Sequence, residues 1–258
     1  MKISARKLYY DTTNKLFAKY LENHNQVFKK FHSNESKVLI SGNPRGGTTW
    51  LSELLSHIES SCMLWEPLRP FRLYEDNLKE FSDKLGWFPY IPADKNWQEG
   101  LTFFKSLLNG NHLNYKSLLR YSSYWKCLRA KYLVIKCVTA NMMIPWINEN
   151  LDIKIIYILR HPCAVVSSQL KFPAFTYKSY NEYIKLKSSK YNHLYSKYIN
   201  VFDSLKSDHE KLAAIWSITN LIPLNYIESG NREKIKLIYY EDLLINPQKE
   251  LNEIFKFI

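Results

Sequence analysis

Residues 37–58 read KVLISGNPRGGTTWLSELLSHI, and this stretch decides the fold. Val38, Leu39 and Ile40 form a short unbroken apolar run, as in a strand buried on both faces. Gly42 to Gly47 is a glycine- and proline-bearing loop, and Thr48-Thr49 opens an apolar-striped helix. A strand feeding such a loop onto a helix N-terminus makes a phosphate cradle, because backbone N–H groups point into the loop and the helix dipole adds positive charge. Gly42, Gly46 and Gly47 let the backbone approach an anion closely. The triphosphate-binding pattern requires lysine directly after the last glycine, and Thr48 stands there. The cation sits instead at Arg45, inside the loop. The stretch therefore predicts an oxyanion site other than that of a magnesium–nucleoside triphosphate.

Outward from this unit, apolar runs alternate with helical patterns. Strands are expected at Cys62–Trp65, Tyr132–Cys137, Lys154–Leu159 and Ile235–Tyr239. Helices are expected from Thr139, as cap, to Asn150, over Ala164–Leu170, over Asp208–Ser229 and over Pro247–Ile258. Trp216 and Asn220 share a face of the third of these, where packing is the favoured role. Met1–Ser36 reads as an amphipathic helical segment, residues 68–130 as an irregular helical insertion, and Phe172–Ser207 as an exposed flap. The sum is one α/β domain over residues 1–258, with a mainly parallel central sheet flanked by helices. Ligands on such sheets sit at the carboxyl ends of strands. The Arg45 loop, Glu66, Arg160 and Tyr240 all fall at such ends.

Composition narrows the class. Hydrophobic residues make up 46% and aromatics 15%, which describes a globular chain. A formal net charge of +12 favours anionic ligands. The lysines are dispersed rather than gathered into a basic stripe, which argues against nucleic acid. No apolar run reaches membrane-spanning length, and Tyr9, Tyr10 and Asp11 interrupt any signal-like core, so a cytoplasmic protein is expected. Cys62, Cys127, Cys137 and Cys163 show no metal spacing and read as reduced thiols, with no metal site. Nothing in the sequence fixes an oligomeric state.

A P-loop kinase or NTPase also needs a strand ending in a magnesium-binding aspartate. The clearest second strand ends in Arg160, whose planar donors suit another phosphate. Two cationic sites fit a nucleotide with phosphates at two places.

On these residues the chain resembles the sulfotransferases that use 3′-phosphoadenosine 5′-phosphosulfate. Their loop signature stands here as Pro44-Arg45-Gly46-Gly47-Thr48-Thr49-Trp50, their Arg-x7-Ser signature as Arg160 to Ser168, and a weaker one as Tyr240-Glu241-Asp242-Leu243. The resemblance implies a P-loop-like sulfotransferase architecture. It assigns Arg45, Gly46, Gly47, Thr48 and Thr49 to the 5′-phosphosulfate, Arg160 and Ser168 to the 3′-phosphate, and Trp50 and Tyr240 to the adenine. Arg45 is also expected to stabilise the departing oxygen. Animal cytosolic members carry a catalytic histidine after an Ile-Lys-Thr strand end; here Ile135-Lys136-Cys137-Val138 has none. Trp65-Glu66-Pro67 is instead similar to the Glu-Pro of carbohydrate and protein-tyrosine sulfotransferases, which implies Glu66 as general base and a glycan acceptor. Lys136 is a candidate sulfate contact, Lys171–Lys197 a candidate substitute for the family's basic closing loop, and Trp87 and Trp97 candidate sugar-stacking rings. A non-catalytic binder of adenosine bisphosphate and a P-loop kinase are the alternatives.

Overall fold

The computed structural model describes residues 37–69, 80–81, 84–85, 89–109, 130–172 and 196–258, together with Leu16. The segment expected over Met1–Ser36, Trp87, and most of the insertion and flap lie outside the described residues. The strands are β1 (Lys37–Gly42), β2 (Ser61–Trp65), β3 (Tyr132–Lys136), β4 (Lys154–Leu159) and β5 (Ile235–Tyr239). They form one sheet in the order β2-β3-β1-β4-β5, and every neighbouring pair is parallel. The α/β architecture with a parallel sheet is as expected from the sequence.

Successive residues of each strand face opposite layers. Leu39, Leu64, Ile135 and Ile155 enter one core with Phe104 and Trp146. Val38, Ile40, Val134 and Ile156 enter the other with Leu51, Leu55, Leu243 and Ile254. Burial on both faces explains the unbroken apolar runs. The flanking helices are α1 (Thr48–Ser56), α2 (Gln98–Leu108), α3 (Ile144–Asn150), α4 (Pro162–Leu170), α5 (Ile199–Ser204), α6 (Asp208–Glu228), α7 (Tyr240–Ile245) and α8 (Pro247–Phe257). Helix α6 opens on a reciprocal capping box, in which Ser207 Oγ accepts from the Glu210 N–H and Glu210 accepts from the Ser207 N–H.

Several expectations change. Thr139 caps nothing: a 3-10 turn over Asn141–Met143 precedes α3, whose early Pro145 fits the first helical turn. Trp97 does not wait for a sugar. It stacks on Phe81 at 5.5 Å and meets Trp146 edge-on at 5.1 Å, because α2 lays its apolar face on the core. The described end of the flap is not wholly exposed either, since Phe202 packs against Met142, Ile215 and Ile218. Cys62, fully buried in β2, is disulfide-bonded rather than reduced, while Cys137 and Cys163 are free. Among the described residues no helix is long and apolar enough to cross a membrane.

Candidate active site between the carboxyl ends of β1 and β4

The chain leaves β1 toward β2 and β3 on one side and reaches β4 and β5 on the other. The reversal puts a crevice between the carboxyl ends of β1 and β4, the place where open α/β sheets take ligands. The loop after β1 is built for close approach. A Cβ on Gly42 would lie 2.3 Å from the Ile158 carbonyl oxygen. Gly47 has φ 100°, and a Cβ there would lie 2.3 Å from the Tyr240 ring. Arg45 holds φ 70°, a left-handed conformation that costs a non-glycine residue about 1–2 kcal/mol. Gly47 is the N-cap of α1 and has no side chain to offer, so the first N–H groups of that helix remain available to an anion.

Three of the loop's carbonyls are tied elsewhere. Asn43 O accepts from the Gly46 N–H at 2.8 Å, Pro44 O from Gln169 Nε2 at 2.9 Å, and Arg45 O from Arg160 Nη1 at 3.1 Å. Asn43 is locked by its side chain as well: it donates to Thr219 Oγ1 and accepts from Asn141 Nδ2, both at 2.9 Å. Gly46 therefore spends its N–H on the loop itself, and its role is to permit the turn.

Arg45 and Ser168, assigned by sequence to opposite ends of a ligand, touch: Arg45 Nε donates to Ser168 Oγ at 3.0 Å. The Arg45 guanidinium also lies 4.5 Å from the centre of the Phe172 ring. Arg160 lies over Tyr240 at 4.4 Å, and Trp50 meets Tyr240 edge-on at 5.6 Å. The Nε of Arg160 is buried and finds no partner among the described residues.

Glu66 follows β2 in a left-handed conformation, φ 50°, with its N–H donating to Lys136 O. Its carboxylate is buried and ion-paired with Lys136 Nζ through Oε1. The Val138 N–H lies 3.4 Å from Oε1 and 3.3 Å from Oε2, and Arg69 Nε stands 4.0 Å from Oε2. Lys136, a candidate sulfate contact in the sequence, is thus engaged by Glu66. Beneath them the Cys137 thiol is pushed up to about 12, chiefly by burial and then by the nearby Glu66 charge.

Arg45, Gly47, Thr48, Thr49, Trp50, Glu66, Arg160, Ser168 and Tyr240 line one cavity of about 510 Å³. Sequence reasoning missed Glu53 and Arg69 in its lining and Gln169 behind it. Arg69 carried a weak signal, three residues beyond Glu66 in the same turn; Gln169 carried only its adjacency to Ser168. The lining offers Arg45, Arg69, Lys136 and Arg160 against Glu53 and Glu66, a cationic surplus suited to a polyanion. Trp216 and Asn220 are not in its lining: Asn220 accepts from the Tyr157 hydroxyl and donates to Trp216 O. Among the described residues no three His, Cys, Asp or Glu gather as a metal site.

A family model described as "Sulfotransferase domain" matches residues 35–258. The chain belongs to the sulfotransferase-domain family. No curated protein sequence matches this sulfotransferase-domain chain. Among solved structures it is similar to the sulfotransferase domain from the curacin biosynthetic pathway, at 19% identity over 86% of this chain and 73% of that one, TM-score 0.48. It is similar to the sulfotransferase domain of the Synechococcus PCC 7002 olefin synthase, at 19% identity over 86% of this chain and 72% of that one, TM-score 0.45. Mouse sulfotransferase SULT7A1 complexed with PAP gives 16% identity over 89% of this chain and 60% of that one, TM-score 0.40.

Proposed function

We propose that the protein transfers a sulfuryl group from 3′-phosphoadenosine 5′-phosphosulfate to an acceptor hydroxyl, with a carbohydrate as the favoured acceptor. The observation that carries this is the meeting of Arg45 and Ser168 across the crevice, with Arg160 anchored to the same loop. One nucleotide with phosphates at its 5′ and 3′ positions would span that pair. The 5′-phosphosulfate would take the free N–H groups of α1 and the hydroxyls of Thr48 and Thr49. The 3′-phosphate would take Arg160 and Ser168. Trp50 and Tyr240 would flank the adenine.

The acceptor oxygen attacks sulfur as the bond from sulfur to the bridging phosphate oxygen breaks. Arg45 would stabilise the charge on that departing oxygen, the kind of electrostatic term that dominates such transfers. Glu66 would take the acceptor's proton. Its Oε2, which takes the long Val138 contact and pairs with Arg69 at 4.0 Å while Oε1 takes Lys136, is the oxygen that would do so. Lys136 and the Val138 N–H fix the carboxylate's direction. The products are a sulfate ester and adenosine 3′,5′-bisphosphate, and no metal takes part.

The Glu66–Lys136 pair also favours a second reading, a non-catalytic binder of the bisphosphate, because the carboxylate is already engaged by a cation before any acceptor hydroxyl arrives. A cytoplasmic setting remains part of the proposal, and the disulfide at Cys62 is the observation against it. Labelled-sulfate transfer to a panel of hydroxyl acceptors tests the activity. Transfer to a sugar hydroxyl is expected. Tight bisphosphate binding with no transfer to any acceptor would support the binder, and absence of bisphosphate binding would overturn both.

A further inference from the structure

Helix α4 does two things at once. It presents Ser168 to the cavity, and its next residue, Gln169, lies outside the lining and is 5% exposed. Gln169 donates from Nε2 to the carbonyl of Pro44, which is itself buried. A trans peptide is planar, so its C=O and the following N–H point in opposite directions. Pulling Pro44 O toward α4 therefore turns the Arg45 N–H away from α4. That N–H makes no hydrogen bond to any described residue. Pro44 cannot hold the loop by an N–H of its own. Arg45 sits in a strained left-handed conformation, φ 70°, that requires support from outside the loop. Without the Gln169 amide the Pro44 carbonyl would be buried and unpaired, and a rotation of the Pro44–Arg45 peptide would both relieve it and aim an oxygen at the bound anion.

We propose that Gln169 is a positioning residue for donor binding: it keeps the Pro44–Arg45 peptide in the orientation that presents an N–H, and not a carbonyl, to the 5′ anion. This rests on the nucleotide assignment above. It adds a coupling that assignment does not contain, since the helix that supplies the second anion site also shapes the first.

The test uses three probes on the full chain by titration calorimetry: adenosine 3′,5′-bisphosphate, adenosine 5′-monophosphate and adenosine 3′-monophosphate. Gln169→Met keeps the length and apolar stem and removes the donor. Gln169→Glu keeps the shape and sets a carboxylate against the carbonyl. Both variants should bind the bisphosphate and the 5′-monophosphate on the order of tenfold more weakly, the cost of one unmet buried hydrogen bond. The 3′-monophosphate, held by Arg160 and Ser168, should bind as in the parent. A general structural defect would weaken all three ligands alike and lower the melting temperature with them, and that result would overturn the proposal. Unchanged bisphosphate affinity in both variants would overturn it equally. If the parent binds no bisphosphate, the nucleotide assignment fails and the role of Gln169 fails with it.

Discussion

Arg45 and Glu66 are the two candidate catalytic side chains, and both sit in left-handed backbone that residues with a Cβ avoid. Strain of this kind persists only where the surroundings enforce it. For Arg45 these are Arg160 and Ser168; for Glu66 they are Lys136 and Val138. Arg45→Ala removes the loop's cation and should weaken adenosine 3′,5′-bisphosphate on the order of 10²-fold, since charge-assisted bonds are the strong ones. A thermal-shift titration reads this directly, and near-parental affinity would end the loop assignment. Glu66→Gln keeps shape and removes the base. Turnover should fall by roughly 10²–10⁴-fold while bisphosphate affinity stays within about twofold, the signature of a group that acts in proton transfer. Initial rates with labelled donor, set beside calorimetry, separate the two effects. The pairing of Glu66 with Lys136 bridges 70 positions of sequence, so no local pattern announces it.

At the scale of elements, the loop and α1 are closed in by α7. Gly47 touches the Tyr240 ring so closely that Gly47→Ala is expected to displace α7 as well as strain the loop. The left-handed conformation alone costs about 1–2 kcal/mol. Denaturant midpoints should show at least that loss, and bisphosphate binding should fall more than the stability change explains. The strands were legible in the sequence because both faces are buried, so Val38–Ile40 and Lys154–Leu159 announce themselves by composition alone. The tight loop between β1 and α1 was legible because glycines and a proline cluster there between a strand pattern and a helical one. Other elements were not. Trp97 reads in the sequence as a candidate sugar-stacking ring, and only the fold brings it against Phe81 and Trp146. Gln169 looks like any polar helical residue until the far loop's carbonyl is set before it. The disulfide at Cys62 was hidden because scattered cysteines carry no pairing rule.

For the whole molecule, buried groups set the response to alkali. Cys137 ordinarily titrates at 9.0 and is pushed up to about 12, so between these values the unfolded thiol loses its proton and the folded one keeps it. The unfolded state then binds fewer protons, and stability falls as pH rises, by about 1.4 kcal/mol per unit from this group. The Tyr226 hydroxyl, also raised to about 12 by partial burial and its Glu149 partner, deepens the same limb, as does the buried Tyr157. Chemical denaturation between pH 8 and 11 should therefore show a declining midpoint, with a shallower decline in Cys137→Ala. The lock on Asn43 has a consequence at this scale too. Thr219 and Asn141 hold the start of the loop after β1 from two separate parts of the chain, so its shape is set by the fold itself. Binding of the bisphosphate should then show only a small heat-capacity change, and the Gly46 amide, bonded to Asn43 O, should already exchange slowly with deuterium in the empty protein.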